Sequence, residues 1–257
     1  MKILFIGDIV GRPGRKLVGD LLPVLRKEYD IELVIANGEN AAGGSGITPA
    51  VAEELFGKGI HILTSGNHIW DKKEAVPYID TEPRIIRPAN YPPGTPGQGW
   101  SLISTPSGVN VGVACLAGRV FLPAIDCPFR VGREIVEELK QHTRIIIVDF
   151  HAEATSEKLA LGWFLDGLVT AVVGTHTHVQ TADERILDEG TAYITDVGMV
   201  GPRDSVIGIK KEVVIQKFLT QLPVRFEVAA GPVEFGAVVI EVDEATGRAR
   251  TIERVRV

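Results

Sequence analysis

The chain has 257 residues, 45% apolar and 23% charged, with a formal net charge of −6. That mix belongs to an ordinary folded protein and excludes disorder and fibrous repeats. The acidic balance, with no long Lys/Arg block, excludes duplex nucleic acid as a main partner, while a small phosphorylated ligand held by local groups or a metal stays open.

Met1 runs straight into the strand-like "KILFIGD", with no signal segment ahead of it and no apolar run of the roughly 20 residues that span a membrane. With only Cys115 and Cys127, both read as reduced thiols, a cytoplasmic protein without a membrane partner is expected. Gly11 to Tyr29 has helical spacing through Leu17, Leu21, Leu22 and Leu25; Pro13 suits its first turn and Pro23 predicts a kink or break. "ELVIANGEN" is a second buried strand, Thr48-Pro49 starts the helix "AVAEELFGKG", and "IHILTSGNH" is a third strand. Three strands separated by two helices argue for parallel pairing with right-handed crossovers.

Pro83 to Trp100 has loop chemistry, after which "WSLIST" and "VNVGVACL" flank a Pro-Ser-Gly turn as a hairpin. Arg130 to His142 reads as a helix, "RIIIVDFH" as a strand, Ser156 to Leu165 as a helix and "VTAVVGTHTH" as a strand. A β-rich end follows, with a helix near Lys211 to Leu219 and the closing strands "EFGAVVIEVDE" and "ARTIERVRV". Without repeats or a linker, residues 1–257 read as one α/β (α+β) domain of two packed mixed sheets flanked by helices, with an open doubly wound sheet as second choice.

Five strand-like segments end in metal-ligating residue types: Asp8, Glu39 with Asn40, Asn67 with His68, His151, and His176 with His178. Ligands of α/β sheets bind beyond the carboxyl ends of the strands, so these groups are expected on one rim. Imidazole, carboxylate and amide oxygen without thiolate suit Mn, Fe, Zn, Co or Ni rather than Ca. The His-x-His pair ends a strand, whose two-residue period points both rings to one face. So many donors are better used by two metals about 3.5–4 Å apart than by one crowded ion.

This series resembles the calcineurin-like metallophosphoesterases, whose pattern runs Asp-x-His, Gly-Asp, Gly-Asn-His, a lone His and Gly-His-x-His. The order matches over nearly the whole chain, with two departures: Val10 stands at the second ligand of the first motif, and Glu39 in "NGEN" replaces aspartate. Those departures, with "GDIVGRPGR", "PANYPPGTPGQGW" and "DVGMVGPRDSVIG", look like the YmdB-like branch, bacterial proteins associated with cyclic-nucleotide phosphodiesterase activity.

The resemblance implies a four-layer α/β/β/α fold and two divalent or trivalent ions, Fe or Mn first and Zn as a further choice. Asp8 and His178 would hold one ion, Asn67, His151 and His176 the other, with Glu39 bridging and Asn40 or a water at the position lost at Val10. A hydroxide activated by the ions would attack phosphorus in line, and His68 would protonate the leaving oxygen or else serve as an outer hydrogen-bond partner. The implied substrate is a cyclic nucleotide, 2′,3′-cyclic AMP first and 3′,5′-cyclic AMP second.

Gly11, Arg12 and Arg15 form a turn that either touches phosphate or faces solvent, and Arg203 in the Gly198–Gly208 loop is a further substrate contact. His61 and His142 fall outside the site. Three other readings stay open: a phosphomonoesterase of small metabolites, an amidohydrolase barrel, and a metal-binding regulatory scaffold without turnover. The size and the Pro/Gly-rich loops are compatible with a homo-oligomer.

Overall fold

Strands that read as unbroken apolar runs are those buried on both faces. The protein, seen in a computed structural model that describes residues 1–257, starts with β1 (Lys2–Ile6), β2 (Asp8–Ile9), α1 (Gly11–Tyr29), β3 (Leu33–Asn37), α2 (Pro49–Gly57), β4 (Ile62–Thr64) and α3 (Ala75–Ile79). It continues with β5 (Trp100–Ser104), β6 (Asn110–Ala117), α4 (Pro128–Leu139), β7 (Ile145–His151), α5 (Thr155–Phe164) and β8 (Ala171–Thr175). The chain ends with β9 (Arg185–Ile186), β10 (Ala192–Ile194), β11 (Met199–Pro202), α6 (Lys211–Thr220), β12 (Val233–Val242) and β13 (Ala249–Arg256).

Seven strands form one sheet in the order β2-β11-β12-β1-β3-β4, with β13 also on β12; six form the other, β5-β6-β7-β8-β10-β9. Both are mixed. β1, β3 and β4 run parallel, as do β6, β7, β8 and β10, whereas β12 is antiparallel to β1 and β5 to β6. The two-residue side-chain period builds the layers. Ile3 and Phe5 of β1 pack between the sheets with Leu33, Ile35, Ile145 and Ile147, while Leu4 and Ile6 face the helical layer with Leu22 and Leu55. On the far side, Ile146, Val148 and Phe150 pack with Val136 and Leu161 of α4 and α5. This is the four-layer α/β/β/α arrangement. Two sheets rule out both the single doubly wound sheet and the amidohydrolase barrel.

Thr48 caps α2 through Oγ1, which accepts from Val51 N at 3.2 Å, with Pro49 in the first turn. Pro23 does not break α1, which runs continuously to Tyr29. Its ring lies on the exposed side, away from buried Val18, Leu22 and Leu25, where the stranded carbonyl meets water. The short α3 and β2 were not expected; β9, β10 and β11 fall in the stretch read only as β-rich, and β11 lies within the glycine-rich "DVGMVGPRDSVIG", where Met199 pairs with Asp8. A larger correction concerns the histidine pair: β8 ends at Thr175, so neither His176 nor His178 is a strand residue.

The inter-sheet layer gives a stability prediction. Replacing the fully buried Phe5 with alanine should cost about 3–5 kcal/mol in denaturant unfolding of chelator-treated protein. A loss below about 1 kcal/mol would show that the sheets do not close on this ring.

Candidate metal centre and active site

Each sheet delivers part of one buried donor cluster. At the end of β3 the Asn37 side chain accepts from Glu39 N at 3.1 Å, turning the chain so that Glu39 lies at the rim. His151 closes β7 from the opposite sheet. Its Nε2 lies 2.9 Å from Glu39 Oε1, 3.2 Å from Asn67 Oδ1 and 3.0 Å from His176 Nδ1. The approach requires Gly66: a Cβ there would lie 2.2 Å from the His151 ring and 2.4 Å from Glu39 Oε2.

Proton supply decides what this cluster suits. The outer nitrogen of each ring already has an acceptor: His151 Nδ1 faces Thr175 Oγ1 at 2.9 Å, His176 Nε2 faces Glu153 Oε2 at 3.2 Å, and His178 Nδ1 faces the Ile207 carbonyl at 2.9 Å. With N–H on the outer nitrogens, the inner ones present lone pairs, the state required of metal-ligating imidazoles. Thr175 in turn donates to Asp149 Oδ1 at 2.7 Å, and Asn37 Nδ2 donates to Asp149 Oδ2 at 3.1 Å.

In the metal-free arrangement a proton stands in for the cation. Burial opposes ionisation of Glu39, yet the charge and hydrogen bond of His151 hold its carboxyl at about 2. Burial likewise disfavours the His151 cation, but Glu39 raises that ring to about 9. Burial, then the His151 charge, push His176 down to about 3, so the pair holds one proton.

Two further atoms support a cation site. Asp8 Oδ1 and Asn40 Oδ1 are buried without a hydrogen-bond partner, an arrangement that is costly unless a ligand or ion satisfies them. Burial pushes the Asp8 carboxyl up, with His178 and His151 opposing; Oδ1 lies 3.7 Å from His178 Nε2, and Oδ2 accepts from His176 N at 3.1 Å. Asn40 commits its Nδ2 to Gly44 O at 3.3 Å. The donor set fits a metal of the N/O-binding class. The side-chain donor atoms of Glu39, His151 and His176 lie within 4.8 Å of one another, close enough to hold one metal ion together.

The His-x-His pair separates by backbone strain instead of strand alternation. His176 has φ +99° and His178 φ +65°, left-handed conformations that cost roughly 1–3 kcal/mol each. They turn His176 to His151 and His178 to Asp8.

A cavity of ≈ 260 Å³ adjoins the cluster, lined by the polar Glu39, Asn40, Ser45, His68, His176 and His178 and by the apolar Ile207, Ile209 and Phe226. His68 donates its backbone N–H to Glu39 Oε2 at 3.0 Å, while its Nδ1 pairs with Asp71 Oδ2 at 2.9 Å. Ser45 also donates to that Asp71 oxygen. The Asp71 carboxylate is an acceptor for an Nδ1–H, so the contact orients the ring through Nδ1 and leaves Nε2 for chemistry.

Other expected contacts lie elsewhere. Gly11 N donates to Asn40 O at 2.9 Å, so it is not free to bind phosphate. Arg12 lines separate surface grooves beside α1. Arg15 bonds Ala41 O at 2.6 Å and Glu54 at 2.8 Å. Arg203 lines a neighbouring pocket behind His178, with Arg256 and Glu234. The Gly198–Gly208 loop does wall the cavity, through Ile207. His61 accepts from Val34 N at 2.9 Å and His142 pairs with Glu138 at 3.3 Å, both away from the cluster.

Residues 4–255 match the family described as YmdB-like protein. The chain belongs to the YmdB-like family. Among its relatives, the 2′,3′-cyclic-nucleotide 2′-phosphodiesterase of Bacillus subtilis is 52% identical over 99% of this chain and 96% of its own. A crystal structure of a hypothetical protein from Thermus thermophilus is 42% identical, with a TM-score of 0.94 over 100% of this chain and 99% of that one. A phosphatase structure from Mycoplasma pneumoniae is 36% identical, with a TM-score of 0.94 over 100% and 93%.

Sequence reasoning missed several residues around this YmdB-like site. Asp149 was accessible through its i, i+2 relation to His151, which puts both on one strand face. Asp71 follows His68 at turn spacing. Glu153 and Thr175 left no separate signal.

An ion taken by His151 Nε2 must displace its proton. The ring is charged below about 9, so binding releases about one proton at pH 7.5, and affinity rises with pH until about 9. Calorimetric titration of chelated protein with Mn²⁺ in buffers of different ionisation enthalpy measures this; no proton release at pH 7.5 contradicts the assignment.

Proposed function

We propose that this chain is a metal-dependent phosphoric ester hydrolase, a phosphodiesterase of cyclic nucleotides, with 2′,3′-cyclic AMP the first choice and 3′,5′-cyclic AMP the second. The carrying observation is one cavity whose lining joins the donors Glu39, Asn40, His176 and His178 to the apolar Ile207, Ile209 and Phe226, with His151 touching Glu39 and His176. The donors suit a phosphoryl group and the apolar residues a nucleobase. The full-length relative named a 2′,3′-cyclic-nucleotide 2′-phosphodiesterase supports the same choice.

In this reading Asp8, Asn40 and His178 would hold one ion and Asn67, His151 and His176 the other, with Glu39 available to both. The unpartnered oxygens of Asp8 and Asn40 favour Asn40 over a water at the position lost at Val10. The nitrogen and oxygen donors favour Fe or Mn and also accommodate Zn. When bound, such a centre supplies Lewis-acid activation of the attacking water and offsets charge on the phosphoryl oxygens.

The chain supplies the rest. His68, as the imidazolium whose Nδ1–H is held by Asp71, delivers its Nε2 proton to the leaving ribose oxygen and is left as the neutral Nδ1–H ring. Phe226 stacks on the base, and Glu39 holds the His68 backbone through its amide, so the acid and the donor cluster move as one unit.

No helix is long and apolar enough to cross a membrane. Free Cys115 and Cys127 support a cytoplasmic setting. Exposed Phe218, Leu219 and Leu222 support a homo-oligomer, checked by light scattering.

Metal-reconstituted protein should turn over 2′,3′-cyclic AMP faster than p-nitrophenyl phosphate at matched concentration; the reverse would favour the phosphomonoesterase reading. His68→Ala should lower kcat by about 10²–10⁴ while metal content stays that of the parent, and loss of metal instead would assign His68 to metal retention. Phe226→Ala should raise KM for 2′,3′-cyclic AMP about 3–10-fold and leave a base-free cyclic ribose phosphate unchanged. Equal effects on both substrates would remove the base from this wall.

A further inference from the structure

Beneath the two histidines of the donor cluster lies an ion pair that the proposed chemistry does not use. Lys158 of α5 and Asp196, which follows β10, are 1% and 0% exposed, and Nζ lies 2.7 Å from Oδ2. Fully buried lysines are rare and must be paired. Here each charge also grips the strained segment. Lys158 Nζ donates to the Thr175 carbonyl at 2.7 Å, while Asp196 Oδ2 accepts from Thr177 N at 3.1 Å and from Thr177 Oγ1 at 2.8 Å.

These bonds fall one residue before and one residue after His176, the residue at φ +99°. Asp196 is itself fixed, since Oδ1 accepts from Gly198 N at 2.8 Å. The last turn of β8 also runs against the Thr195 carbonyl so closely that a Cβ on Gly174 would lie 1.7 Å from it. An unsupported chain would relax a non-glycine residue out of that conformation. Relaxation would rotate His176 Nδ1 away from His151 and His178 Nε2 away from Asp8.

We propose that Lys158 and Asp196 form a clamp that sets the backbone of Thr175–His178, and are therefore positioning residues for the metal-facing nitrogens of His176 and His178. The inference rests on the proposed metal-dependent function but concerns only how the chain prepares the site. A buried ion pair that served stability alone would be replaceable by a neutral pair. A clamp is not replaceable in that way, because a neutral pair lacks the donor on the Thr175 carbonyl.

The test combines Lys158→Met/Asp196→Asn with the milder Thr177→Val, which removes one bond to Asp196 and leaves the ion pair intact. Three quantities are measured: thermal melting of chelator-treated protein, Mn²⁺ affinity by calorimetry, and the backbone amide resonances of His176 and Thr177. The double variant should melt close to the parent, bind Mn²⁺ about 10–100-fold more weakly and shift both amides. Thr177→Val should melt as the parent does, with a smaller loss of affinity and the same amides shifted. A folded double variant that binds Mn²⁺ as tightly as the parent, with unmoved amides, overturns the clamp. If the double variant does not fold, Thr177→Val decides: parental affinity and amides overturn the proposal, and a loss with shifted amides upholds it. If the parent binds Mn²⁺ yet hydrolyses no cyclic nucleotide, the functional reading fails while affinity and amide shifts still judge the clamp.

Discussion

Glu39 and His151 meet at 2.9 Å with both side chains buried, one from each sheet of the sandwich. Two apolar sheets could slide by a residue at modest cost in burial, but this contact could not be kept. The same rim carries a second crossing, Asn37 on the first sheet to Asp149 on the second at 3.1 Å. Together these polar contacts fix how the carboxyl ends of β3 and β7 oppose each other. Fixing them brings donors into one place from segments more than a hundred residues apart in the sequence.

Such a cluster is unfavourable by itself. It collects buried carboxylates, amide oxygens and imidazole nitrogens with too few protons, and leaves Asp8 Oδ1 and Asn40 Oδ1 unpartnered. The apolar layers on each side of both sheets provide the stability to hold it. A cation relieves the excess of lone pairs, and ordering by the outer partners of the three rings means little reorganisation is needed when it arrives.

Much of this was legible in the chain. Runs such as "KILFI" and "IIIVDFH" were readable as strands because burial on both faces leaves few polar interruptions, and the polar residues closing them marked the rim. The His-x-His spacing was legible as a donor pair, and the resemblance implied different ions for its two rings, but the backbone that separates them was not legible: strand alternation would put both rings on one side, whereas left-handed backbone at both histidines sends them to different partners. That conformation depends on Lys158 and Asp196, which are distant in sequence, and a lysine in a helix ordinarily reads as solvent-facing. Glu153 was illegible for a related reason, since charged residues in turns are common without any histidine to orient.

"GDIVGRPGR" marks the remaining limit. A glycine turn, two arginines and a helix start have the composition of a phosphate cradle, and local sequence cannot say which way such a turn faces. Here the helix's first amide goes to the Asn40 carbonyl at 2.9 Å, and Arg15 reaches the Ala41 carbonyl at 2.6 Å. Both therefore brace the loop that carries Glu39 and Asn40. The Asn40 carbonyl is held from α1 and its Nδ2 by Gly44, and the side-chain atom of that residue left unpartnered is Oδ1. The motif thus contributes to the site by holding a donor from behind, which is why Gly11 and Arg15 lie near the chemistry without lining the cavity, while Arg12 faces the surface grooves beside α1.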